Sequence, residues 1–146
     1  MQALFRFLVT FLRLLLAPAK KRPLPTRRDE LVIEYRPRLD GAPDPGEIVW
    51  TWVAYEDDPS QGKDRPVLLI GRRNGRLVGV ALTSKPDRRH RVEVGRGAWD
   101  REGRVSWAKT DRLIEVDAAR VRREGAVLDR ERFDRVTRAI TAPIDA

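Results

Sequence analysis

The chain has 146 residues, with 30 lysines and arginines against 22 acids and a formal net charge of +8 at pH 7. It has no cysteine and one histidine, His90, which excludes a disulfide framework, a thiolate metal site and a zinc site built on several histidines. The length suffices for one domain with its own core plus an appendage.

Residues 1–28 carry Arg6, Arg13, Lys20, Lys21, Arg22, Arg27 and Arg28 and no acid. The opening stretch "MQALFRFLVTFLRLLLA" gathers Gln2, Arg6, Thr10 and Arg13 on one narrow helical stripe, with Leu4, Phe5, Leu8, Phe11, Leu12, Leu15 and Leu16 over the rest. This pattern predicts an amphipathic helix over 1–17. It is too short and too charged to span a bilayer, which needs about 20 apolar residues. Ala17–Ala19 imitates a signal-peptidase site, but Arg13 interrupts the apolar region that such a signal requires. Two roles remain open for the helix. It lies on an anionic membrane with Lys20–Arg22 as a basic flank, or it caps protein. Prolines 18, 23 and 25 open a stiff, charged linker over 18–45.

From Gly46 the pattern changes to short strands. "GEIVWTWVA" alternates Ile48, Trp50 and Trp52 with Val49, Thr51 and Val53. A polar loop ends in Arg65–Pro66 and leads into the unbroken apolar run Val67–Ile70. Pro66 is tolerated at a strand entrance and holds the residue before it extended. Asn74–Gly75 is a strong hairpin signal and opens "RLVGVALTSK". "RVEVG", "RVSWAK" and "DRLIEVD" complete six strands, the first two of them joined by the turn-rich "RGAWDREGR". The last periodic stretch, "LDRERFDRVTRAI", places Phe133, Val136 and Ile140 on one helical face behind Asp129 as N-cap. The expectation is a mainly β domain over 46–146, a small antiparallel barrel with a C-terminal α-helix.

Charge is polarised along this body. Residues 29–62 hold nine acids against two bases, residues 63–112 hold 14 bases against six acids, and the remainder is balanced. A concentrated basic middle is what a phosphate footprint looks like, although a solvated arginine-rich surface reads the same. Arg65 would clamp a phosphate well, being planar and permanently charged, but would move protons poorly. His90 sits in the charged turn "DRRHRVEV", where solvation is the simpler reading. Trp50 and Trp52 share a face with Ile48, which suggests core for at least one of them. Trp99 lies on a turn, either as an exposed platform for stacking a base or packed beneath its loop.

The ordered set resembles the PemK/MazF/Kid family of toxin endoribonucleases. Its pieces are the Trp-bearing first strand, a Ser-Gln-Gly loop ending in Arg-Pro, a strand ending in "LTS", "TDRLIEVD" and the final helix. The resemblance covers Gly46 to about Ile140. It implies an SH3-like barrel, a homodimer and cleavage of single-stranded RNA without metal or other cofactor. It also implies a cognate antitoxin that occupies the same groove, and a cytoplasmic location, here at the inner face of the membrane if residues 1–28 meet lipid. It assigns Arg65 and Thr83 to catalysis. Ser60, Gln61, Lys63, Ser84, Lys85 and Trp99 are the expected substrate contacts. The loop departs from the family, being one residue short and lacking a glutamate beside Ser60. A catalytically silent SH3-like module for RNA or protein is the alternative.

Overall fold

The computed structural model describes residues 30–86 and 89–140. The helix expected over 1–17 lies outside them. Eight strands occur in chain order, β1 (Val32–Ile33), β2 (Glu47–Ala54), β3 (Gly62–Arg73), β4 (Arg76–Thr83), β5 (Arg91–Gly95), β6 (Ser106–Lys109), β7 (Ile114–Val116) and β8 (Arg123–Val127). One α-helix among the described residues, α1 (Arg130–Arg138), follows, and a 3-10 turn, Ala118–Arg120, lies between β7 and β8.

Every pairing is antiparallel. The main path runs β5-β6-β4-β3-β2-β8, with β1 added to β3 and β7 to β4. The result is a curled half-barrel whose two end strands, β5 and β8, do not pair. The chain passes from β8 through buried Leu128 into α1, which packs against β5 and covers the open seam. Arg132 fastens it there, its Nη1 donating to the Val94 carbonyl at 2.6 Å. Asp129 is the N-cap, accepting from Arg132 N, and Phe133 and Val136 are buried.

The six expected strands are all present. β1 and β8 are additional, and both are short or polar segments that lack a period of two. β1 lies in the stretch read as linker. It is admitted by Gly71, where a Cβ would stand 2.0 Å from the Val32 carbonyl oxygen. Just after it Tyr35 donates its hydroxyl to the Leu128 carbonyl at 2.7 Å and tilts against Phe133, 5.0 Å between ring centres.

The apolar run Val67–Ile70 is fully buried because the sheet has cores on both faces. Ile48, Leu68, Ile70, Val80, Trp99 and Phe133 belong to the larger core under α1. Val49, Val53, Val67, Leu69, Leu77 and Val116 form the smaller one under β7. The alternation of β2 therefore divides its residues between two cores, not between core and water. Only towards its end does the strand emerge, so that Trp52 is 45% exposed. The Asn74–Gly75 hairpin forms as expected, both residues having positive φ.

Candidate active site

β3 enters the sheet through Gly62, Lys63, Asp64, Arg65 and Pro66. Pro66 biases Arg65 to extended backbone, and the register sets Arg65 opposite Thr51 of β2. Residues opposite one another in an antiparallel pair project from the same face. On the other side of β3 the pairing Val67↔Ala81, continued by two residues, brings Arg65 beside Thr83, the last residue of β4. Thr83 in turn pairs with Trp107 of β6, while Lys109 of β6 pairs with Arg91 of β5. Register alone thus gathers Arg65, Thr83, Arg91 and Lys109, from four strands, at one end of the sheet.

There they line a cavity of about 390 Å³. Its cations are Lys63, Arg65, Lys85, Arg91, Arg104 and Lys109, and its acids are Asp64 and Asp100. Both acids are committed to arginines, Asp64 to Arg122 at 2.9 Å and Asp100 to Arg104 at 3.0 Å. Arg65 is half-buried, and its side chain makes no hydrogen bond or ion pair with any described residue. Burial lowers its pKa from the ordinary value, with Tyr55 opposing and Arg112 and Arg91 reinforcing the shift. An arginine starts so high that it stays charged at neutral pH. Arg91, its side chain 10% exposed, reaches Asp111 at 3.6 Å. Its Nε and Nη1 are nevertheless buried without a hydrogen bond. Lys63 is held below its ordinary value chiefly by Arg65, then by burial and Lys85. Lys109 is lowered first by burial, then by Arg65 and Arg91, against Glu56 and Asp111. A cavity so lined favours an anion and repels a bare cation. Among the described residues no three of His, Cys, Asp and Glu are grouped to hold a metal ion.

Thr83 Oγ1 accepts from Lys85 N at 3.2 Å, which orders the turn and leaves the hydroxyl hydrogen for another acceptor. Lys63, Ser84 and Lys85 line the same cavity. Ser60 and Gln61 do not line it. Their loop folds on itself. Asp58 Oδ1 accepts from Ser60 N and Oγ at 3.2 and 2.5 Å, and Gln61 O accepts from Tyr55 N at 2.9 Å.

Trp99 corrects the stacking-platform reading, since it is 1% exposed and part of the larger core. Its indole N–H donates to Ser106 Oγ at 3.0 Å, and Arg132 lies over its ring at 5.7 Å. Its carbonyl accepts from Trp50 Nε1 at 2.8 Å. Trp99 therefore braces Trp50, a wall of the cavity, from beneath. His90 is exposed and absent from the cavity lining, consistent with a solvated side chain, and its carbonyl accepts from Thr110 N and Oγ1.

Arg91 and Lys109 were not among the expected site residues. Each ends a recognised strand, Arg91 opening "RVEVG" and Lys109 closing "RVSWAK". Pairing those two strands as a hairpin would have set them opposite each other.

Comparison with known proteins adds family membership. The family described as PemK-like, MazF-like toxin of type II toxin-antitoxin system matches residues 44–143. No curated protein matches the sequence.

Proposed function

Because the chain belongs to the PemK-like, MazF-like toxin family, we propose that it is an endoribonuclease that cleaves single-stranded RNA in the cationic cavity. The observation that carries this reading is Arg65, a half-buried arginine whose side chain has no hydrogen-bond or ion-pair partner among the described residues, set beside Thr83 by strand register. The ribose 2′-OH attacks the adjacent phosphorus, a 2′,3′-cyclic phosphate forms, and the bond to the 5′-oxygen breaks. Arg65 stabilises the charge that accumulates on the non-bridging oxygens, and the Thr83 hydroxyl donates to one of them. Arg91, buried with hydrogen-bonding capacity to spare, adds a second positive charge. Lys63, Ser84 and Lys85 hold neighbouring phosphates and sugars.

The same charge suits an antitoxin that presents an acidic segment to the cavity, and a homodimer is the form the toxin takes. Residues 1–28, with seven cations, hold the protein to an anionic membrane surface, which co-sedimentation with anionic and neutral vesicles tests. No helix among the described residues is long and apolar enough to cross a membrane.

The self-folded loop of Ser60 and Gln61 favours a second reading, a silent module that binds RNA without cutting it. One experiment separates the two. Purified protein is incubated with single-stranded RNA, and binding and product ends are measured together. Products ending in a 2′,3′-cyclic phosphate support the enzyme; binding without cleavage supports the module.

A further inference from the structure

Proton supply is the part of this reaction that Arg65 and Thr83 leave unfilled. The departing 5′-oxygen of a ribose is a poor leaving group and needs a proton as its bond to phosphorus breaks. Arginine gives up protons reluctantly, and a threonine hydroxyl more so. His90 is away from the cavity. The carboxylates of the lining, Asp64 and Asp100, are held by Arg122 and Arg104.

Lys109 meets the requirement. It ends β6, is half-buried, and lines both the cavity of Arg65 and Thr83 and an adjoining one of about 360 Å³ that Arg65 also lines. Its backbone is fixed on both sides, by the pairing with Arg91 and by Thr110, which donates N–H and hydroxyl to the His90 carbonyl. The side chain forms no hydrogen bond or ion pair with any described residue. The other two lysines of the site are exposed. The charges that act on Lys109 come from three directions, Arg65 on β3, Arg91 on β5, and Glu56 and Asp111 on flanking loops.

Resting on the reading of the site as a ribonuclease, we propose that Lys109 is the general acid that protonates the leaving 5′-oxygen. Its ammonium gives one proton to that oxygen as the phosphorus–oxygen bond breaks. The 2′-hydroxyl proton passes to water as the new bond to phosphorus forms, and Lys109 regains its proton from solvent. Burial between two guanidiniums makes its ammonium a stronger acid than an exposed lysine, which is the direction that the role requires.

The test uses two RNA substrates that differ in one atom. One has the ordinary 5′-oxygen at the cleavage site, and the other has sulfur in its place, which departs as a thiolate without protonation. Lys109→Ala should lower single-turnover cleavage of the oxygen substrate by about 100-fold and leave the sulfur substrate within a few-fold of wild type. Lys109→Arg keeps the charge and should retain RNA affinity with the same selective loss. Arg65→Ala should impair both substrates. Equal losses on both substrates for the Lys109 variants, or no loss on either, would overturn the acid role alone. Failure of the wild-type protein to cleave either substrate would overturn the ribonuclease reading and this proposal with it.

Discussion

Arg65 and Trp99 show how differently two conspicuous residues resolve. Arg65 stands at a proline-fixed strand entrance, and its position in the cavity follows from that local constraint plus one register. Arg65→Ala should reduce single-turnover RNA cleavage by about 10²–10³-fold, the scale of losing one preorganised charge stabiliser. Its fold stability should change by no more than about 0.5 kcal/mol, because no described partner is lost. Cleavage equal to wild type would remove Arg65 from the mechanism. Trp99 was legible only as a tryptophan on a turn. Whether such a side chain faces water depends on what lies beneath it, here Ser106, Arg132 and the core under α1. Trp99→Ala should therefore cost about 3–5 kcal/mol of stability, as large aromatic truncations in cores do. Chemical denaturation measures this; a loss below 1 kcal/mol, taken roughly as a surface-scale effect, would contradict the buried role.

Among the elements, α1 carries the clearest local code. Asp129 caps it, accepting from Arg132 N, and the Arg132 side chain bonds back to the Asp129 carboxylate. The Arg132 hydrogen bonds depress the Asp129 pKa more than its slight burial raises it. A carboxylate depressed in the folded state stabilises above its unfolded pKa and loses that contribution as pH falls through the folded value. Asp129→Ala should cost about 1 kcal/mol at neutral pH. The gap from wild type should close as pH falls below about 3.9, the ordinary aspartate value. Denaturation curves at pH 7 and in that acid range check it, and a gap independent of pH would deny the cap its charge. β1 and β8 behave oppositely. Neither is long enough or regular enough to show a period of two, and each exists because a finished neighbour, β3 or β2, offers unpaired backbone groups.

For the whole molecule, polarisation of charge along the sequence becomes polarisation in space. Six cations converge at one sheet end while the acids among them are paired with arginines. A site of this sign has no carboxylate cradle for magnesium among the described residues, so RNA cleavage should proceed at an undiminished rate in excess EDTA. Loss of cleavage with chelator and recovery with magnesium would require a different mechanism.

The strands β2 to β7, the Asn74–Gly75 hairpin, the capped α1 and the Arg-Pro entrance were determined by the sequence alone. Each depends on contacts within a few residues, through turn chemistry, proline geometry and side-chain period. Tertiary structure decided the rest. It placed Thr83 beside Arg65 and Lys109 beside Arg91, buried Trp99, and turned Ser60 and Gln61 away from the cavity. Those outcomes depend on which strands become neighbours and in what register, and a one-residue slip of a strand would send its site residue, Arg65, Thr83, Arg91 or Lys109, to the opposite face.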